Sequence, residues 1–372
     1  MRNLVAALRD PASVAALDGS GWSALLSVAR AEVLLGTLAY RLADVAVPDG
    51  VRAILDAART AADQAQVHAL WEAEMCRRTL APLGIEPILL KGTAYAAAQL
   101  PNAAGRQIGD LDILVPRGSL DKVEVALLGA GWEWVKDDPY DQAYYRQHMH
   151  ELPPLIHRER DRMVDVHHTI LPLTARVTPD AGALIAEALP LPSRLLEGLG
   201  VGLSGQSATP STDPPLTPPA GGRGIKMLSP AHMICHAAAH LIADGDLAGG
   251  LRNLWDIDQL CRHFDERRPD FYLELVEDAW FHQLYAAVSR GLRLSEALFG
   301  TPLVSYRYPA KTDFHSRSSD RLFLAHLIAR DDWGRETRPL LRLAFYIRSH
   351  LLRMPLPMLL RHLWVKWRKG QS

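Results

Sequence analysis

Cysteine is scarce in this chain of 372 residues: Cys76, Cys235 and Cys261 stand far apart and are odd in number. That spacing suggests neither a disulfide framework nor a Cys-x-x-Cys metal site, and it fits a reducing compartment. No apolar run reaches the roughly 20 residues that cross a bilayer as a helix. The amino-terminal stretch MRNLVAALRDPASVAALDGSGW interrupts its apolar residues with charges and a proline, so no export signal is expected and a cytoplasmic location is. An excess of one charge is missing too. Lys and Arg total 41 against 42 Asp and Glu, a formal charge of −1, which argues against nucleic-acid binding through global charge and leaves only a local basic patch. The sequence shows no internal repeat and no long low-complexity tract.

What is present is a globular balance of 48% hydrophobic and 22% charged residues, enough for two or three structural units. The pattern predicts an α+β fold: a small mixed-sheet core at 84–175, preceded by a helical region at 1–83. A connecting segment at 176–224 contains a Pro/Gly-rich loop at 203–224, and 225–372 reads as a helical domain. The clearest amino-terminal helix spans about 51–80, where Val51, Leu55, Ala58 and Ala62 recur at helical spacing. Residues 85–90 form an apolar run containing Pro87, which suits a strand at a sheet margin. Lys91-Gly92-Thr93 then opens a short Ala-rich helix, and Ser119 is expected to cap another. Strands are expected at 110–115 and 132–135, with a hairpin whose arms are 155–157 and 162–168.

Asp-x-Asp occurs three times, at 110/112, 244/246 and 256/258, so the pattern alone carries little. Only the first lies in an apolar β-type run. There a period of two sends Asp110 and Asp112 to one face and Leu111 and Ile113 to the other. In the second hairpin arm Met163, Asp165 and His167 share a face. By local spacing the two aspartates are equally readable as a strand start and a solvent-facing strand residue. A third lone carboxylate, in Val164-Asp165-Val166, favours a shared role. Crowded carboxylates repel unless cations or protons compensate, and hard oxygen donors suit Mg²⁺. In a scheme with two Mg²⁺ ions, Asp110 and Asp112 hold the metals while Asp165 helps bind one ion or accepts a hydroxyl proton. Lys91 and Arg106 are candidates for phosphate neutralisation, and the Gly92 and Thr93 backbone for close phosphate approach. Charge crowding alone predicts that Asp112→Asn relieves repulsion in the metal-free protein.

The run LLKGTAYAAAQL, the run R-x-x-G-D-L-D-I-L-V from Arg106 and V-D-V-H-H from Val164 resemble an uncharacterised bacterial nucleotidyltransferase family of the DNA polymerase beta-like superfamily. LRNLWDIDQL from Leu251 is similar to a helical segment that often follows. The resemblance is strongest over about 85–170 and looser to about 262. It implies a small mixed sheet, a Gly-Thr turn at Gly92 and Thr93 contacting nucleotide phosphates, and Mg²⁺ at Asp110, Asp112 and Asp165. The gap from Gly92 to Asp110 exceeds the minimal superfamily pattern, and Lys91 replaces a more usual apolar residue. The implied reaction moves a nucleoside monophosphate from an NTP to a hydroxyl-bearing acceptor, with release of pyrophosphate. The acceptor, whether small molecule, sugar, peptide or protein, is left open. The alternative is a non-catalytic nucleotide- or partner-binding protein, antitoxin-like or a scaffold.

His232, His236 and His240 recur every four residues, with Asp244 continuing the stripe. Three histidines on one straight helix do not converge on one ion, so zinc is the least favoured reading. The alternatives are ordinary packing and a polar face along the cleft, which would make His236 and His240 acceptor-side groups together with His167. From Arg338 onward basic residues accumulate among apolar ones without an acid. This tail reads first as a terminal helix pair packing its apolar side on the domain, and second as a peripheral contact with an anionic membrane or other polyanion.

Overall fold

The computed structural model describes residues 1–191, 224–243, 245, 247, 249–303 and 313–369. Most of the Pro/Gly-rich loop, together with Asp244 and Asp246, lies outside the described residues. The architecture is mixed α and β. Helices α1 (Arg2–Arg9), α2 (Gly19–Ala31), α3 (Leu35–Arg41) and α4 (Asp49–Leu80) come first. The long α4 begins two residues before the predicted start and buries Val51, Leu55, Ala62, Ala69, Ala73 and Leu80 along one stripe.

Strand β1 (Ile88–Leu89), helix α5 (Lys91–Ala97), strand β2 (Asp110–Leu114), helix α6 (Leu120–Gly129) and strand β3 (Trp132–Trp134) follow. After helix α7 (Pro139–His148) come β4 (Leu155–His157), β5 (Met163–His167), helix α8 (Ala181–Ala186), β6 (Leu189–Pro190) and β7 (Lys226–Met227). The described strands form one sheet in the order β3-β4-β5-β2-β1-β7-β6, with β5·β2 and β1·β7 parallel and the other pairs antiparallel. The sheet therefore takes strands from the connecting segment and from beyond it.

Helix α9 (Pro230–Ala238) widens into a π turn at Ala239–Ala243. It is followed by α10 (Gly250–Asp265), α11 (Phe271–Phe281), α12 (Tyr285–Phe299), α13 (Asp313–Leu327), α14 (Pro339–Arg353) and α15 (Leu356–Lys369). One buried apolar cluster runs from Leu4 and Leu38 through Leu111 and Val166 to Leu254, Leu292 and Phe345, so sheet and helices share a core. No helix among the described residues is long and apolar enough to cross a membrane.

Local differences from the sequence reading have physical causes. β1 is not marginal: it pairs with β2 on one side and β7 on the other. Pro87 precedes the paired residues, so its missing N–H costs no ladder bond, and its carbonyl accepts from Lys226 N at 3.0 Å. Ser119 makes no side-chain cap, because a 3₁₀ turn at Arg117–Ser119 leads into α6. Helix α7 was not predicted, although Asp138 caps it by accepting from Asp141 N at 2.9 Å and Pro139 fills its first turn.

Two glycines let the helical region meet the core. A Cβ on Gly105, whose φ is +69°, would fall onto the Gly36 backbone in α3. Gly105→Ala should therefore cost about 3 kcal/mol, read as a lower urea midpoint, through both clash and backbone strain. Gly129→Ala, with nothing within 4 Å of the added carbon, should leave stability unchanged or raise it by up to about 1 kcal/mol. Equal midpoints for wild type and Gly105→Ala would contradict the close approach.

Candidate active site

The parallel ladder between β2 and β5 sets Asp112 directly opposite Asp165. Neighbouring strands lie about 4.8 Å apart, so two side chains on the same face at that register must meet. Asp110, one pleat away on β2, joins them, and carboxylate oxygens of all three fall within 4.8 Å of one another.

The three charges are not equally compensated. Asp112 is buried, and its Oδ1 accepts from Lys91 Nζ at 2.7 Å and lies 3.0 Å from His167 Nε2. Burial works against its charge, but Lys91 and His167 outweigh that and hold its carboxyl below the ordinary range. Asp165 Oδ1 is buried with no hydrogen-bond partner. Burial first, then Asp112 and Asp110, push the Asp165 carboxyl up to about 7. Asp110 is also raised, by burial and by Asp112. An orphaned buried oxygen beside two further carboxylates, all hard donors, fits a divalent cation of the Mg²⁺ class.

Lys91 reaches Asp112 from the first residue of α5, with its backbone at φ +47°. That left-handed conformation is costly for a residue with a side chain and clusters at functional sites. Desolvation opposes the Lys91 charge, but Asp112 more than restores it and raises its pKa. Gly92 follows at the wall of a cavity of about 190 Å³ that also contains Asp110 and Asp112. A Cβ on Gly92 would stand 2.8 Å from Arg106 Nε. Arg106 itself is buried and ion-paired to Asp256 on α10, and Asn102 Nδ2 donates to the same carboxylate at 3.3 Å. It thus braces the loop before β2 against the C-terminal helices. The Thr93 hydroxyl is buried without a partner, and Thr93 is not among the residues lining this cavity.

From the opposite side, α9 and its π turn bring His236 and His240 onto the cavity wall. Burial pushes His236 well below the ordinary histidine range, with Lys91 adding to the effect, so the ring is neutral. His167 lies at the Asp112 end of the carboxylate set. His232 leaves this face, its Nε2 standing 3.1 Å from His282 Nε2 and 3.5 Å from Asp278 Oδ2. Because His282 Nδ1 accepts from Asp180 N at 3.1 Å, neutral His282 carries its proton on Nε2 and donates it to His232.

Sequence reasoning missed several neighbours. Glu151 approaches His167 Nδ1 at 3.5 Å, and Arg252 and Asn253 of α10 line the cavity. The signal for α10 was in LRNLWDIDQL, where Arg252 and Asp256 lie four apart on one helix face. A model of the family described as uncharacterised nucleotidyltransferase matches residues 18–195 and 210–300, which is most of the chain. The chain belongs to this family. No curated protein and no solved structure matches the chain. The nucleotidyltransferase match covers β2, β5, α9 and α10, the elements that surround the carboxylates.

The expectation that Asp112→Asn relieves repulsion needs correcting: Asp112 is the compensated member, and its loss strands the Lys91 charge. Removing one partner of a buried pair is destabilising, here on the order of 2 kcal/mol given that Lys91 is about one-quarter exposed. Relief belongs to Asp165. Its folded pKa of about 7 lies above the ordinary 3.8, so its contribution is fully present below about pH 4 and is lost as pH rises to about 7. In EDTA, Asp165→Asn should flatten the fall in stability across that window and be more stable than wild type at pH 8. Parallel wild-type and Asp165→Asn curves would show that Asp165 is compensated by groups other than those described.

Proposed function

We propose that the protein transfers a nucleoside monophosphate from an NTP to a hydroxyl-bearing acceptor with release of pyrophosphate. The observation that carries this reading is the convergence of Asp110, Asp112 and Asp165, with one Asp165 oxygen buried and unpartnered. Family membership supports nucleotidyl transfer in general. All-oxygen donors at this spacing would hold Mg²⁺, which when bound neutralises phosphate charge and favours the departure of pyrophosphate.

The remaining chemistry falls to side chains of this chain. The acceptor oxygen forms a bond to the α-phosphorus as the α–β phosphoanhydride bond breaks, and the electron pair leaves on pyrophosphate. The hydroxyl proton passes to the Asp165 carboxylate, the least compensated base of the set. Lys91, already at the carboxylates, and Arg252 on the cavity wall supply positive charge for the phosphates. Gly92 permits the backbone to approach them where a side chain would collide with Arg106. Neutral His236, with His240, borders the space left for the acceptor.

Labelled NTPs incubated with the protein, Mg²⁺ and a cell extract test the reading. A labelled acceptor and stoichiometric pyrophosphate are expected, with Asp112→Asn and Asp165→Asn lowering transfer by about 100-fold or more while remaining folded. Transfer at near wild-type rate in both variants would remove the assignment. Tight nucleotide binding without pyrophosphate release under any acceptor screen would favour a non-catalytic binding protein on the same fold.

A further inference from the structure

The carboxy-terminal helices bury Phe345 and Leu359 but present a second set of apolar residues outward. Helix α14 buries Phe345 and Ser349 against the body, and Arg348 on that side donates to Gly245 O at 3.0 Å and Ile242 O at 3.2 Å. Its opposite face carries Leu340, Leu343, Ile347 and Leu351, spaced three or four apart on one stripe and all exposed, Leu340 to 81%. Helix α15 repeats the arrangement with exposed Leu356, Leu360 and Trp364 at every fourth position. A terminal helix pair serving only to complete the core would turn these residues inward. Contiguous exposed apolar stripes of this kind mark interaction surfaces.

The charge of the same segment selects the occupant. From Arg338 to the end the chain carries eight Lys or Arg and no acidic residue. Exposed Arg368 lies over the Trp364 ring at 4.9 Å, beside the apolar stripe. We propose that α14 and α15 together form a peripheral docking surface for an anionic lipid bilayer, with Leu340, Leu343, Ile347, Leu351, Leu360 and Trp364 entering the headgroup boundary. A duplex nucleic acid matches the charge but leaves an aliphatic stripe in water. A second copy of the chain matches the stripe but sets cationic helices against each other. A bilayer with anionic headgroups satisfies both features, because basic side chains reach the headgroups while leucines and tryptophan bury below them. Neither helix spans the bilayer; both lie on it. This inference stands independently of the nucleotidyl-transfer reading.

The test floats full-length protein through a density gradient with vesicles of phosphatidylglycerol and phosphatidylcholine in equal parts, or of phosphatidylcholine alone. Wild type should float with the anionic vesicles at about 0.1 M salt, less at about 0.5 M, and stay behind with the neutral ones. Leu343→Asp/Ile347→Asp changes two exposed positions, so its thermal melt should match wild type while binding weakens about tenfold or more. Arg368→Gln should weaken binding about fivefold, the contribution of one basic residue near the surface. Absence of wild-type flotation, flotation indifferent to Leu343→Asp/Ile347→Asp, or displacement of the vesicles by duplex DNA or RNA would overturn the proposal. So would a lipid-free dimer that Leu343→Asp/Ile347→Asp converts to monomer, because the stripe would then belong to a second copy.

Discussion

A parallel strand pair that places two aspartates opposite each other is an electrostatic liability, and much of this structure answers to it. Side chains at that register cannot avoid one another, and Asp110 adds a third carboxylate to the same face. Water screens the exposed Asp110, but Asp112 is buried and Asp165 partly so. Compensation then has to come from the fold. Lys91 supplies a full positive charge and His167 a ring nitrogen, both to Asp112, while Asp165 is left to retain its proton toward neutral pH. A group left in that condition is one a divalent cation would relieve.

The surrounding architecture holds this arrangement in place. Arg106 and Asn102 on Asp256 fix the loop before β2 to α10, so the carboxylate strand and the helical wall of the cavity keep their spacing. On the far side Arg160, in the β4–β5 turn, donates to both oxygens of Glu72 on α4 at 2.7 and 2.9 Å and covers the Trp132 ring at 4.7 Å. The hairpin that carries Asp165 is thereby anchored to the longest helix. Lys91 holds its position with a left-handed backbone at the start of α5.

How much of this was legible in the sequence depended on range. Strand periodicity placed Asp110 and Asp112 on one face and Asp165 on another strand, because alternation is a local property. The α+β class and the long helix near 51–80 were legible for the same reason. The partners were not. Lys91 read as a phosphate ligand, and nothing in its neighbourhood reveals that its ammonium meets an aspartate 21 residues away. Arg106 read the same way, yet its carboxylate lies 150 residues further on. The histidine stripe divided at His232, whose contacts include Asp278 on α11 and His282 just after it. Two-residue strands such as β6 and β7 carry too little pattern to detect. Helix α7 was missed although Asp138-Pro139 is a readable start, because the residues after it are polar and aromatic rather than periodic.

As proposed, Asp110, Asp112 and Asp165 form a divalent-cation site whose uncompensated member is Asp165. Titration of metal-free protein with Mn²⁺, with the free ion followed by electron paramagnetic resonance, tests it without assuming any acceptor or nucleotide. Wild type should take up Mn²⁺ and Asp165→Asn should bind it about tenfold or more weakly, with the fold intact by circular dichroism. Equal Mn²⁺ affinity in wild type and Asp165→Asn would contradict it.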